Sequence, residues 1–509
     1  MRTKNSLINT VYAIFGQALT ILFSFVNRTV FIYVLGAEYL GINGLFTDLL
    51  YMLSLAELGV STAITFALYK PLLENDIKKI SSIMNLFSRL YKTIGCIVAI
   101  IGLCLTPFLE LLIKGNTNIS NLETIYLLFL TNSAISYFFT FKRTLIIADQ
   151  KQYINTKNIY TFQLIQYSLQ AVFLLLTKNY FLFLIIQIVC TVLSNIVISI
   201  KVDRLYPYLK ENKKERIDKS SKQDIYKNVG AMFFHKIGSV IVSGTDNLLL
   251  ASFVGITSVG VYSNYKLIIS ILTSFINQIF NSVTASVGNL SASESDKQHS
   301  YFVYSTLNLI SFWIFGICVC VLFSLLNPFI NFWIGESYLL DLRTVFLIII
   351  LFYITGMRQT NIVYINAMGL FWPLRYKSLI EALLNLLSSL FFLKYIGMPG
   401  IFLGTIFSTM LTNFWWEPYV VHKVGFKVSI MEYLKNYLKY ALLVSFTCLL
   451  TFYINSFILV YGIFGIIIKT LISFCIPNIV YLIIFFKTKE FKYLFNILNS
   501  VFLKKFRNE

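Results

Sequence analysis

The dipeptide Gly-Lys occurs nowhere in the 509 residues, so the chain carries no GxxxxGK[ST] loop with which to cradle and hydrolyse a nucleotide. HExxH and the GxSxG nucleophile elbow are missing too. Charge is scarce. Only 13% of residues are charged, where soluble domains hold about 25%; 57% are apolar and the mean hydropathy is +0.73. A soluble fold is excluded and an integral membrane protein is expected. Acid is scarcer than base, 23 Asp and Glu against 42 Lys and Arg. The seven cysteines (Cys96, Cys104, Cys190, Cys318, Cys320, Cys448, Cys475) all lie in apolar runs. They show neither a disulfide framework nor zinc spacing, and Cys318 and Cys320, two apart on a helix, point to opposite sides. They read as small buried residues; no metal and no cofactor is expected. No segment is low-complexity. The N-terminus has the polarity of a signal sequence, but its apolar run continues to about Leu35 without a small-residue cleavage site, so it reads as a retained first helix.

What is present is a series of apolar runs, each long enough to cross a bilayer. They fall near 9–34, 41–68, 93–113, 123–147, 158–177, 181–200, 228–250, 260–288, 301–326, 343–366, 377–394, 400–420, 437–456 and 463–486. Fourteen spans put both termini on one side. With the N-terminus inside, cytoplasmic segments hold 33 lysines and arginines, outer loops hold 4 (Lys114, Lys178, Arg343, Lys394) and spans hold five. That asymmetry is the positive-inside signal. It accounts for most of the net charge of +19 and argues against a nucleic-acid partner. The expected fold is an all-α integral membrane protein of about 14 transmembrane helices, with both termini cytoplasmic. Residues 487–507 place Phe491, Leu494, Phe495, Leu498 and Phe502 on one face among lysines, the pattern of an amphipathic helix on anionic lipid.

A shift of 219 residues lays the second half over the first without a gap. LGAEYLGI (35–42) falls on VGITSVGV (254–261), so Gly36 meets Gly255 and Gly41 meets Gly260; Asn27-Arg28 falls on Asp246-Asn247. Six spans per half make two parallel lobes, for which a substrate site between them is expected. The expected organisation is a six-helix lobe at 1–200, a cytoplasmic linker at 201–227, a second six-helix lobe at 228–420, two further helices at 421–486 and a basic tail at 487–509. The glycines read as turn residues that permit tight geometry.

Five ionisable residues fall deep within spans: Arg28, Glu57, Lys236, Asp246 and Lys266. A charge in hydrocarbon costs several kcal/mol and marks a polar path by default. Helical spacing gathers them into stripes. Thr10, Gln17, Ser24 and Arg28 share one face, as do Asn43, Thr47, Ser54, Glu57, Ser61 and Thr65; Lys236, Ser243 and Asn247 form a third stripe, and Lys266, Ser270, Thr273, Asn277 and Thr284 a fourth. Arg358 with Asn361, and Glu381 with Asn385, repeat the pattern more weakly. Ser, Thr and Asn also glue helices together, and the charges could pair internally, Arg28 with Glu57 or Lys266 with Asp246. The alternative is a hydrated cavity in which Arg28, Lys266, Lys236 and Arg358 meet an anion and Gln17, Asn247 and Asn277 meet polar groups.

The stretch NRTVFIYVLGAEYLGINGLFTDLLYMLSLAELGVSTAITFALYKPLLENDIKKI (27–80) resembles the front of bacterial polysaccharide-unit flippases, in the superfamily of multidrug extruders and the lipid II flippase. KRTLIIADQKQY (142–153) and NAMGLFWPLRYKSLIEALLNLLSSLFFLKYIGMPGIFLGT (366–405) continue the resemblance. It implies a multi-pass protein of the bacterial plasma membrane that is not an enzyme. Such a protein moves an undecaprenyl-pyrophosphate-linked oligosaccharide from inner to outer leaflet, for capsule, exopolysaccharide or O-antigen. The implied partners are that lipid-linked substrate, membrane lipids, and a polysaccharide polymerase and glycosyltransferases. The cationic cavity role carries to Arg28 and by position to Lys266; Glu57 and Asp246, which match no family motif, are the acids available for coupling to protons or sodium. The rivals are a lipid II flippase, a drug or cation antiporter of the same fold, and, in another class, a membrane polymerase or glycosyltransferase. The last usually needs a sizeable outer loop, and the longest here is about 327–342.

Overall fold

The computed structural model describes residues 2–54, 60–114, 119, 121–212, 215–292, 297–458, 462–496 and 499; along 2–15, 231–237 and parts of neighbouring helices it describes the backbone alone. The described chain is helical throughout. Its elements are α1 (Arg2–Leu53), α2 (Val60–Glu74), α3 (Ile77–Leu105), α4 (Leu122–Ala148), α5 (Gln152–Thr177), α6 (Tyr180–Leu205), α7 (Tyr208–Glu211), α8 (Lys219–Leu249), α9 (Ile256–Ala292) and α10 (Lys297–Ile334). They continue with α11 (Leu342–Met357), α12 (Gln359–Met368), α13 (Lys377–Ile396), α14 (Met398–Leu411), α15 (Asn413–Tyr419), α16 (Met431–Ser456) and α17 (Gly462–Phe485).

The few acids and amides near loops start these helices. Asp76 accepts from Lys79 N at 3.0 Å to cap α3, Asn179 from Phe181 N at 2.8 Å to cap α6, Asp218 from Ser221 N at 2.8 Å to cap α8, and Asp341 from Thr344 N at 3.1 Å to cap α11. Each satisfies a backbone N–H that the first helical turn leaves open.

Among the described residues, eleven helices are long and apolar enough to cross a membrane. The chain is a multi-pass integral membrane protein. Three of the fourteen expected spans do not stand as separate long helices. The second begins inside α1, beyond a kink at Gly36, and continues past residues outside the description into α2. Of the seventh, the stretch Val240–Val254 is an apolar helical run in the described residues, continuous with α8. The twelfth breaks at Thr412 into α14 and the short α15, which carries Pro418. At 14 residues, α14 reaches about 21 Å, short of a hydrocarbon core of about 30 Å.

The chain forms two compact units, Met1–Ser263 and Asn264–Glu509, which divide within α9. In the first, α1 lies along α5, α4 packs on α3 and α6, and α8 packs on α1 and α2. Its interior is aromatic: Phe46 meets the edge of Tyr126 at 5.2 Å and Phe87 that of Tyr91 at 4.5 Å. In the second, α13 and α14 form a close hairpin and α10 is flanked by α11, α16 and α17. The two helices beyond the repeat are held there by Phe312, stacked on Tyr440 at 4.4 Å and against Tyr481 at 4.6 Å. The tail is helical over 489–496; Phe491 stacks on Trp313 of α10 at 5.7 Å, while Phe495 is 54% exposed. Phe502 lies outside the described residues.

Candidate functional site

The repeat is visible as a reciprocal crossing inside the first unit. Gly36 and Gly255 both take positive φ, 80° and 133°, at the points where the chain leaves one helical run and enters the next. This is their use as turn residues. Gly41 and Gly260 do more. A Cβ on Gly41 would collide with the Ile256 carbonyl, and a Cβ on Gly260 would collide with the Ala37 carbonyl. Residues 37 and 256, like 41 and 260, are 219 apart. Each turn therefore receives the other's backbone at the equivalent glycine, as a local two-fold relation requires.

Next to this crossing lie the polar residues of α1 and α8. Arg28 is half-buried, and its Nη2 donates to Ser263 Oγ. Asn27 is buried and donates to Gln170 Oε1 of α5 at 3.2 Å; Gln170 in turn donates to the Phe183 carbonyl at 3.0 Å. Asn247, 2% exposed, donates to Asp48 Oδ2 at 2.8 Å, and its own Oδ1 is buried with no described partner. Asp246 and Gln17 are half-buried in α8 and α1. Arg28, Asn27, Asn247 and Asp48 thus all bond within the first unit, and the Asn247–Asp48 bond ties α8 to α1. Glu57 and the side chain of Lys236 lie outside the described residues.

In the second unit, Lys266 and Asn277 are half-buried along α9, with Asn277 Oδ1 enclosed and lacking a described partner. Arg358, at the junction of α11 and α12, is engaged by the protein itself. Its Nε and Nη2 donate to Glu417 Oε2 and Oε1 of α15 at 2.9 and 2.7 Å, a bidentate fork. Lys377 Nζ of α13 donates to the same Oε1. The Glu417 side chain is 3% exposed, that of Lys377 10% and that of Arg358 18%, so the three-ion cluster is nearly dry. One turn along α13, Glu381 accepts from Asn413 Nδ2 and adds to the field that holds Arg358. Asn385 donates to Thr405 Oγ1 at 2.9 Å.

Sequence reasoning missed Glu417 and Lys377 as buried ions. Lys377 stands at the end of a span, where hydropathy groups it with the cytoplasmic cations; Glu417 stands beside the helix break at Thr412. Their only signal is an acid next to Pro418 in an apolar run, WWEPY (415–419). Arg143 likewise falls among the cytoplasmic charges by sequence, yet it is half-buried among α4, α5 and α6.

This helical arrangement is the fold of the multidrug and lipid exporters. A structure titled lipid II flippase MurJ, inward closed conformation, superposes with a TM-score of 0.63 at 15% identity, over 94% of this chain and 99% of that one. An inward-facing multidrug resistance transporter of the MATE family and MOP superfamily gives 0.60 at 14%, over 78% and 93%. A MOP superfamily transporter from Pyrococcus furiosus, whose title describes a binding pocket of reverse polarity, gives 0.52 at 12%, over 84% and 97%. No curated protein matches the chain. The family model described as "Polysaccharide biosynthesis protein" matches residues 6–285. The chain belongs to that family of polysaccharide biosynthesis proteins, and it shares its fold with the MATE transporter and lipid II flippase structures.

Proposed function

We propose that the chain is a flippase. It carries an undecaprenyl-pyrophosphate-linked oligosaccharide repeat unit from the inner to the outer leaflet of a bacterial plasma membrane by alternating access, and it makes and breaks no covalent bond. The observation that carries this reading is the polysaccharide biosynthesis family match over 6–285 on an exporter fold. The cations support an anionic cargo. Arg28 is a guanidinium inside an apolar helix, and Lys266 is a half-buried ammonium on α9. Arg358 helps instead by holding α11, α13 and α15 together through Glu417. Gln17, Asn247 and Asn277 offer amides to sugar hydroxyls, with Lys236 a further cation; Glu57 and Asp246 are the candidates for ion coupling. A cleft of about 390 Å³ lined by Phe323, Phe346, Ile350, Val444 and Leu449 is apolar enough to take a lipid chain. Outward movement of an anion runs with an inside-negative potential, worth roughly 2.3 kcal/mol per net charge per 100 mV.

Replacing Arg28 with Ala tests the reading. The expected result is loss of surface polysaccharide with normal amounts of protein in the membrane; full export would remove Arg28 from the mechanism. Depletion should abolish capsule or exopolysaccharide. Loss of cell wall instead would favour lipid II as cargo, and drug sensitivity alone would favour an extruder.

A further inference from the structure

The corner formed by the fourth, fifth and sixth helices of each half holds a half-buried arginine, Arg143 in the first and Arg358 in the second; the shift of 219 places Arg143 on Ile362, one helical turn from Arg358, and the partners of the two differ in charge. In the second unit, Arg358 and Lys377 close on Glu417. In the first, Arg143 Nη1 donates to Asn155 Oδ1 at 2.8 Å, and its Nη2 donates to Ser194 Oγ at 3.0 Å and Asn195 Oδ1 at 2.9 Å. All three acceptors are neutral. Asn158 fixes Ser194 by donating to its Oγ at 2.8 Å and its carbonyl at 3.0 Å. The repeat shift of 219 places Asn158 on Lys377, Ser194 on Asn413 and Ile198 on Glu417. Where the second corner has a carboxylate, the first has an isoleucine, 1% exposed and one helical turn from Ser194 on α6.

The nearby acids are committed elsewhere. Asp203 pairs with Lys142 at 2.6 Å and Lys210 at 3.6 Å, and Asp149 pairs with Lys151 at 2.7 Å and accepts from Tyr206 Oη at 2.6 Å. A guanidinium has five N–H groups. Three bonds are used here, and among the described residues nothing takes the other two. A half-buried cation held in place by neutral groups keeps its full charge for an outside partner. An ion pair with a phosphate oxygen is the charge-assisted bond that such a group favours.

We propose that Arg143, positioned by Asn155, Ser194 and Asn195, is a binding site for the phosphate of a lipid headgroup, at the end of the first unit that the charge distribution reads as cytoplasmic. The ligand chemistry is a phosphate ester or diphosphate on a membrane anchor. Its source is either bulk anionic phospholipid or a polyprenyl-diphosphate-linked molecule. With the second source the inference rests on the transport reading, and with the first it does not; its test is binding and not export, so the two can fail separately.

The test uses the full chain in nanodiscs. Wild type, Arg143→Gln, Arg143→Lys and Ile198→Glu are compared by thermal unfolding and by titration. One arm uses phosphatidylcholine discs with farnesyl pyrophosphate, a second uses the same discs with inorganic pyrophosphate, and a third uses discs of equal parts phosphatidylcholine and phosphatidylglycerol. Saturable stabilisation of the wild type is expected in at least one arm. Arg143→Gln should weaken it by about tenfold or more, and Arg143→Lys should retain most of it. Ile198→Glu supplies the carboxylate that the second corner already has and should abolish binding with Arg143 still present. Response to phosphatidylglycerol assigns bulk lipid as the source; response to farnesyl pyrophosphate alone assigns a diphosphate lipid. A folded Arg143→Gln or Ile198→Glu variant that binds as the wild type does in every arm overturns the proposal, as does a wild type that responds in none. Should Arg143→Gln fail to fold, Ile198→Glu decides in its place.

Discussion

Glu417 is the residue on which the second unit's buried charge depends. It faces two cations and is itself 2% exposed, so its loss strands Arg358 and Lys377 in a dry site. Removing one partner of a buried pair costs about 3–5 kcal/mol, whereas replacing all partners with apolar groups is often neutral. Glu417→Gln should therefore lower the thermal unfolding temperature sharply in detergent. A triple Arg358→Met, Lys377→Met, Glu417→Met variant should recover much of the loss. Equal stability of Glu417→Gln and wild type would contradict the description of the pair as buried and mutually dependent. The same logic separates the arginines. Arg143 bonds to two amides and a hydroxyl, while Arg358 is neutralised by a carboxylate. Sequence spacing could place Arg28, Arg358 and Asn247 within helices. It could not tell an ion-paired arginine from one held by neutral groups, because Glu417 lies 59 positions from Arg358 and only folding brings them together.

At the scale of elements, the glycine crossing is the sharpest constraint. Because Gly41 and Gly260 occupy equivalent places, Gly41→Val and Gly260→Val should cost similar amounts, roughly 1–3 kcal/mol or more from overpacking. Both should reduce export, measured as surface polysaccharide at equal membrane abundance. One silent and one severe substitution would contradict the reciprocal geometry. The pairing of these glycines was legible from the 219-residue shift, and so was the turn role of Gly36 and Gly255. The collision partners were not, since a backbone carbonyl leaves no mark in a sequence pattern. Hydropathy found every span that stays apolar and unbroken. It overran at the twelfth, where Pro418 and the break at Thr412 interrupt an apolar composition that continues across them. The second begins beyond the Gly36 kink of α1, where the expected boundary between the first two spans falls.

At the scale of the whole molecule, membership of the polysaccharide biosynthesis family and the exporter fold agree with each other and with the charge distribution. Resemblance over 27–80, 142–153 and 366–405 was enough to identify the family, since those segments carry the kinked first helix, the α4–α5 turn and the α12–α14 region. The cargo is a different matter, because the same fold is found in a multidrug transporter and in a lipid II flippase. If the cargo is an anion moving outward, collapsing the membrane potential in reconstituted vesicles should slow its transfer. An unchanged rate would mean that counter-ions cancel the charge. The most direct measurement is leaflet transfer itself. The purified chain is placed in vesicles with a fluorescent undecaprenyl-pyrophosphate oligosaccharide, and arrival in the opposite leaflet is read by an impermeant quencher. Protein-dependent transfer of chemically intact lipid, lost in Arg28→Ala, is the predicted result; no transfer, or a product with an altered glycosidic or phosphate linkage, would contradict the account.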